Sequence, residues 1–364
     1  MYVDGKSQTS IWYDPERPYS FSIIDQRKLP FLFETIEVSS SADTFWAIKE
    51  MCVRGAPLIG VTAAFGMYLA VTENPASISY IKDRAEYLRK ARPTAVNLEY
   101  GINHILNVIH PENSNSRNIK QALSAALKLR EEEIFRSEKI GWHGLEILRN
   151  LYQNKSTDRL NILTHCNAGW LACVDYGTAL APVYKAYESG IPVHVYVDET
   201  RPRNQGARLT AWELEKQGIS HSVIPDNTGG LLMQKGMVDA VIVGSDRTSI
   251  RGDVINKIGT YLKALAAKDN HVPFYVALPR STIDINMKDA ASEAKIEQRH
   301  DDEVRMVEGW NGTHTEKVQI IATESPVLNY GFDITPSALV TGLITEMGLC
   351  EANEVSIKEC MNLP

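Results

Sequence analysis

The sequence of 364 residues lacks any block of basic residues, and its formal net charge is -7. Gripping a nucleic-acid backbone takes clustered Lys and Arg, so no nucleic-acid partner is expected and any bound phosphate is small and held locally. An apolar leader is missing too. The opening M-Y-V-D-G-K-S-Q-T-S carries charges, which excludes a secretory signal and implies a cytoplasmic chain. The longest uncharged stretch, Ala56 to Val71, contains Gly and Thr and is shorter than the roughly 18 apolar residues of a membrane span. It reads as a buried helix, with no membrane contact. Cysteine is scarce: five residues, an odd number, in a chain without an export signal imply free thiols rather than a disulfide framework. No fixed-period repeat, low-complexity segment or long charge run is present, which excludes a solenoid and a disordered tail.

What is present has the ordinary balance of a globular protein, with 44% hydrophobic and 23% charged residues, and its length suits two domains. Through Asn150, short β-rich runs (Ile11 to Tyr13, Phe21 to Ile24, Leu32 to Val38) give way to helical periodicity. Ser41 and Asp43 are candidate caps for a helix through Val53. This predicts residues 1–150 as a small antiparallel sheet plus a helical domain. After Thr157, apolar strands alternate with helical segments: Asn161 to Thr164, Val193 to Val197, Ser222 to Ile224, Ala240 to Val243 and Phe274 to Ala277. That alternation predicts, for residues 151–364, an α/β domain with a Rossmann-like parallel sheet and helices on both faces. A ligand then belongs at the carboxyl ends of the strands, near the topological switch point.

Four polar clusters follow those strands. In T-H-C-N-A-G-W, Cys166 sits where a thiol can face a pocket at the start of a helix, although most free cysteines are simply small buried hydrophobes. His165, Cys166 and Cys173 lack the paired spacing of a zinc site. D-E-T-R-P-R-N-Q-G-A-R, from Asp198 to Arg208, packs acids, arginines and an amide into one turn, suited to a phosphorylated polar ligand or else an exposed charged loop. In G-S-D-R, Asp246 is a candidate acid, a helix cap or a partner of Arg247. Asn256 and Lys257 read as the start of a helix, where an amide, an ammonium and free N–H groups suit an anion. Earlier, Arg54-Gly55-Ala56-Pro57 sets a guanidinium beside small residues, and Arg92-Pro93-Thr94 offers another. Both turns are equally compatible with routine interhelical punctuation.

Together with D-N-T-G-G at Asp226 to Gly230 and F-D-I-T-P at Phe332 to Pro336, these clusters closely resemble one family, methylthioribose-1-phosphate isomerase. It belongs to the group that also contains the regulatory subunits of translation initiation factor 2B. The matches follow family order from near residue 25 to near residue 348. The resemblance implies an isomerase, commonly a homodimer, that turns the cyclic aldose 1-phosphate into an open-chain ketose 1-phosphate without metal or organic cofactor. It implies Cys166 and Asp246 as catalytic residues, and Arg54, Gly55, Ala56, Arg92, Gln205, Asn256 and Lys257 as substrate contacts. The regulatory relatives share the fold without the complete catalytic set. Two positions depart from the pattern, Leu232 in place of His and Ile255 in place of a smaller residue, and both are expected at the pocket rim. An acid that protonates the ring oxygen near neutral pH needs apolar, dehydrated surroundings, for which Trp170 and the strand ends are the candidates.

Overall fold

A computed structural model describes residues 1–92, 95–155 and 158–362. Pro93 and Thr94 of the second arginine turn lie outside the described residues.

The N-terminal part opens with an antiparallel sheet of Ile11–Trp12, Phe21–Ile24 and Thr35–Val38. The third strand is shorter than the sequence suggests because residues 26–31 turn around Pro30, which has no N–H to donate. Helices Ser41–Lys49, Ala56–Glu73, Ile78–Arg89 and Val96–Leu106 follow. Ser40 rather than Ser41 caps the first, accepting from the Asp43 N–H at 3.0 Å, while Ser41 donates its hydroxyl to Glu73. The apolar Ala56–Glu73 helix, 18 residues long, is long and apolar enough to cross a membrane, yet 83% of it is buried inside the protein. It forms the axis of the first core, between Phe21 and Ile23 of the sheet and the helices around it.

The helix Asn115–Gln153 has 39 residues and serves two cores. Its first half contributes Ala122, Ala126 and Leu129 to the N-terminal core, and its second half contributes Ile140, Leu145 and Leu148 to the core beneath the large sheet. The division at residue 150 read from the sequence falls near the end of this helix.

Seven strands form the main sheet. Leu160–Thr164 pairs in parallel with Val193–Asp198, which pairs with Ser220–Ile224. On its other side Leu160–Thr164 pairs with Ala240–Val243, then come Phe274–Ala277 and Gly342–Thr345, all parallel, and the antiparallel edge strand Gly348–Cys350. Alternate residues face opposite cores: Ile162 and Ile242 meet the long helix and its neighbours, while Leu163, Val241 and Val243 meet the helices Thr228–Gln234, Thr260–Asp269 and Glu354–Met361. Both faces are therefore covered, as a parallel sheet requires. The chain winds outward from Leu160–Thr164 in one direction and then from Ala240–Val243 in the other, so the switch point lies between these two strands.

One buried acid of the long helix makes a stability prediction. Glu133 accepts from the Arg136 guanidinium through one oxygen, while its other oxygen is buried without a partner. Burial outweighs the arginine and pushes the Glu133 carboxyl up to about 7. A folded-state value above the unfolded one favours the protonated form, so the contribution is complete below the ordinary carboxylate range. It is lost as pH rises through about 7. We expect wild-type unfolding free energy to drop on the order of 1–3 kcal/mol more between pH 5 and pH 7.5 than that of Glu133→Gln. Urea titrations of both proteins at the two pH values check this; parallel profiles would refute it.

Candidate active site

All nine residues singled out as catalytic or substrate-binding line one cavity of about 740 Å³ between the N-terminal helices and the carboxyl ends of the main sheet. Arg54, Gly55, Ala56 and Arg92 come from the helical side. Cys166 follows the strand Leu160–Thr164 and Asp246 follows Ala240–Val243, so the two stand at neighbouring strand ends across the switch point.

The sequence gives Cys166 an unusual backbone. Its φ of 66° lies in the left-handed region, disfavoured for a residue with a Cβ. Hydrogen bonds hold it there: its N–H donates to Thr200 Oγ1 at 2.8 Å, and its carbonyl accepts from the Thr210 hydroxyl at 2.7 Å. Thr200 shares the strained conformation at φ 66° and is itself fixed by Asp226, which accepts its N–H at 2.7 Å. Strain maintained by surrounding bonds in this way is a feature of functional loops. No α-helix follows Cys166, contrary to the sequence reading. A single 3-10 turn, Trp170–Ala172, comes next, and the next α-helix starts at Ala181. Trp170 is also not part of the pocket; it is fully buried against Trp212 in the core below.

The loop after Cys166 is organised by Glu213, which sequence reasoning missed. This fully buried carboxylate accepts from Asn167 Nδ2 (2.8 Å), the N–H groups of Trp170 (2.8 Å) and Leu171 (3.1 Å), and the Tyr184 hydroxyl (2.7 Å). Burial raises its carboxyl, against the pull of these donors. A Cβ at position 169 would fall 1.8 Å from its Oε2, so only Gly169 fits. Asn167 in turn holds Arg54, accepting from its guanidinium through both the side-chain oxygen and, at 2.6 Å, the main-chain carbonyl. The R-G-A-P turn thus reaches the pocket through tertiary contacts. Gly55, at φ 93°, would drive a Cβ to 2.3 Å from the Ala172 carbonyl. The Ala56–Glu73 helix starts there without a side-chain cap.

Asn256 and Lys257 do not begin a helix. They end the strand Val254–Lys257, which pairs antiparallel with Phe332–Thr335 in a small inserted sheet. The helix starts at Thr260, and Asp333 of F-D-I-T-P takes its free N–H groups, those of Gly259 at 2.7 Å and Tyr261 at 3.2 Å. That terminus is closed to a second anion. Lys257 enters the cavity from the strand end, its Nζ donating to the Gly331 carbonyl at 2.9 Å and lying 4.6 Å from the centre of the Phe332 ring. Burial pushes its ammonium below the ordinary value, while nearby Cys166 and Asp246 pull it back. Arg92 is lowered too, by burial first and by Arg299 next. Among the described residues no carboxylate pairs with Arg54, Arg92 or Lys257, whereas the other cavity-lining arginines are paired: Arg247 with Asp284, and Arg299 with Glu297 and Glu303. Gln205, also lining the cavity, has a buried Oε1 with no partner. Asp246 precedes a strand, so it is not a helix cap, and Arg247 is bound to Asp284. Ile255 lines the cavity, but Leu232 does not: it is half-buried against the core on the other face of the sheet, away from the rim where it was expected.

Next to Cys166, His165 is buried between Asp198, 2.8 Å from its Nδ1, and the Ile258 carbonyl, 2.8 Å from its Nε2. His165, Asp198 and Asp226 are close enough to share a metal ion. The Lys263 ammonium already stands 3.0 Å from the same Asp198 oxygen and donates to the Asp226 carbonyl, so a cation occupies this acidic group from within the chain.

Comparison with known proteins bears on this arrangement. The initiation factor 2 subunit family model matches residues 52–352. A methylthioribose-1-phosphate isomerase of Desulfatibacillum aliphaticivorans is 53% identical over 363 residues, covering 98% of both chains. The chain belongs to the methylthioribose-1-phosphate isomerase branch of that family. A crystal structure of 5-methylthioribose 1-phosphate isomerase from Pyrococcus horikoshii OT3 matches with a TM-score of 0.84 at 35% identity, covering 98% of this chain and 96% of that one. One from A. fulgidus, described as translation initiation factor eIF-2B subunit delta, matches with a TM-score of 0.81 at 40% identity, covering 98% and 100%. The family therefore spans isomerases and factor subunits on one fold, and the site carries the distinction between them.

Proposed function

We propose that the chain isomerises S-methyl-5-thioribose 1-phosphate to S-methyl-5-thioribulose 1-phosphate, a step of methionine salvage, in the cytoplasm and as a homodimer. One observation supports this above the rest: a cavity that combines Arg54, Arg92 and Lys257, which lack carboxylate partners among the described residues, with a thiol and an acid at adjacent strand ends. A scaffold subunit has no use for such a pocket, whereas a phosphorylated sugar matches it in charge and chemistry.

In this reading the phosphate takes Arg54, Arg92 and Lys257, with the uncapped start of the Ala56–Glu73 helix at Gly55 and Ala56 behind it. Gln205 and Asn256 contact the sugar hydroxyls; the bare Gln205 oxygen accepts from one. The 1-phosphate ester prevents spontaneous ring opening, so Asp246 delivers a proton to the ring oxygen as the C1–O bond breaks. A hydrogen then passes between C1 and C2. Cys166 either removes it as a proton, giving an enolate, or polarises the carbon that receives it as a hydride. Isomerisation in deuterated water separates the routes, since only the enolate route carries solvent deuterium to carbon.

The cavity also presents Met51, Val96, Ile283, Ile285 and Ile296, an apolar lining that suits a methylthio group. Arg247 and Arg299 are already paired, which leaves exposed Lys295 as the further cavity-lining cation without an ion pair among the described residues, too little to hold a second phosphate on C5. Turnover of methylthioribose 1-phosphate is expected to exceed that of ribose 1,5-bisphosphate, with 5-deoxyribose 1-phosphate between them; side-by-side kinetics checks the order, and preference for the bisphosphate would refute the assignment. Activity is also expected to survive exhaustive chelation, since Lys263 supplies the positive charge in the His165–Asp198–Asp226 group. Loss of turnover that one divalent metal restores would contradict this.

A further inference from the structure

Two thiols far from the proposed chemistry face each other at the edge of the main sheet. Cys350 ends the edge strand Gly348–Cys350, and Cys360 lies in the last turn of the Glu354–Met361 helix, which packs on that edge. Both pack into one core, Cys350 buried within it and Cys360 half-buried against it, and Cys360 Sγ lies 3.3 Å from the hydroxyl of Thr345 on the strand that pairs with the Cys350 strand. A surface cleft lined by Cys350, Asn353 and Glu359 reaches the Cys350 side. The remaining thiols differ in setting: Cys52 is buried in the N-terminal core, with burial holding it near 12, and Cys166 and Cys173 both line the substrate cavity, Cys173 buried and raised higher still. Cys360 is half-buried, and the neighbouring Cys350 thiol first, with the Thr345 hydroxyl beside it, lowers its pKa and favours its thiolate.

We propose that Cys350 and Cys360 form a thiol-oxidation site, a dithiol that hydrogen peroxide converts to a disulfide fastening the C-terminal helix to the sheet edge. The Cys360 thiolate attacks one peroxide oxygen and expels hydroxide, leaving a sulfenic acid. Cys350 then attacks that sulfur, and the sulfur–oxygen bond breaks as the sulfur–sulfur bond forms. Two thiols give up two electrons and two protons, and the peroxide is reduced to two waters. The helix has only eight residues and is anchored by buried Ile357 and by Arg280, whose guanidinium donates to the Cys360 carbonyl at 3.4 Å and to Glu346 at 3.1 Å. A helix this short opens readily by itself, so a covalent tie has a large effect on its local stability. In the reducing cytosol such a bond is transient and reversible.

Titrating the reduced full-length chain with hydrogen peroxide tests the proposal. The mass should fall by about 2 Da, and non-reducing tryptic digestion should join the peptide ending at Lys358 to the one beginning at Glu359, with dithiothreitol separating them again. Hydrogen exchange across residues 354–362 should slow by at least about tenfold in the oxidised protein. Cys360→Ser and Cys350→Ser should each abolish the linked peptide and the protection while leaving turnover unchanged. Oxidation confined to Cys166, or sulfinic acid accumulating at Cys360 without a cross-link, would overturn the proposal.

Discussion

Cys166→Ser and Asp246→Asn should each cut turnover by at least about a hundredfold in a chain that folds normally, because positioned acid–base groups contribute on the order of 10²–10⁴ in rate. Both substitutions keep the side-chain volume and remove the chemistry. Serine leaves the backbone bonds of Cys166 to Thr200 and Thr210 intact, since these use main-chain atoms of residue 166. Asparagine at 246 preserves shape but no longer donates an acidic proton, so ring opening loses its acid. The main-chain N–H of Asp246 donates to the Ile255 carbonyl at 3.0 Å, a bond the variant keeps. Turnover on variants shown to be folded by circular dichroism and melting decides each case. Near-normal turnover in either one would remove that residue from the catalytic pair and leave the other to be explained alone. If the enolate route operates, residual Asp246→Asn activity should be limited by ring opening, so a substrate deuterated at C2 would show a reduced isotope effect.

Much of this site was legible because its signals are local. Runs such as Ala240 to Val243 and Phe274 to Ala277, apolar and bounded by polar or turn residues, read as strands and are strands at those limits. Placing Cys166 and Asp246 at strand carboxyl ends needed nothing more. What misled the reading was long-range. Asn256 and Lys257 looked like a helix start, yet they end the strand Val254–Lys257, whose hydrogen-bond partner is a strand beginning at Phe332, which local periodicity cannot reveal. The same partner segment brings Asp333 to cap the helix, so the apparent anion site was already satisfied by the chain's own carboxylate. Trp170 was misplaced for a related reason: an aromatic residue two positions past a polar loop reads as pocket wall, whereas the 3-10 turn rolls it into the core. Glu213 gave no signal at all. It sits in a charged helix, A-W-E-L-E-K, and nothing local separates it from solvent-facing Glu215 two residues later. Its role follows only from the meeting of that helix with the Asn167–Leu171 loop.

Lys257→Met and Arg54→Leu should each lower kcat/KM for the sugar phosphate by roughly ten- to a hundredfold, since a charge-assisted contact contributes about 1.5 to 3 kcal/mol. The reason differs from the one the sequence suggested. Lys257 does not work with a helix terminus; it is a buried ammonium at a strand end whose charge is disfavoured by burial and by the positive charge of Arg299 and Arg54. A phosphate arriving among these cations relieves that cost, so its binding should tighten the hold of Lys257 on its proton, and removing the lysine should weaken phosphate binding more than that of a neutral sugar. Arg54 adds a second consideration, because its guanidinium also occupies both oxygens of Asn167, which Glu213 holds from the other side. Leucine would leave the Asn167 oxygens without their donor, and part of any loss would then come from the loop that carries Cys166. Arg54→Lys separates the two effects: a charge restored without the bidentate geometry should recover KM more than kcat if the guanidinium binds phosphate, and kcat should stay low if it chiefly orders the loop. Surface cations with no ligand would change kcat/KM by no more than about 0.5 kcal/mol on substitution. Steady-state kinetics on the three variants, with inorganic phosphate as competitive inhibitor, distinguishes these outcomes. Unchanged kcat/KM and unchanged phosphate inhibition for both Lys257→Met and Arg54→Leu would place the phosphate outside this cation cluster, and the polarity of the substrate in the cavity would have to be reversed.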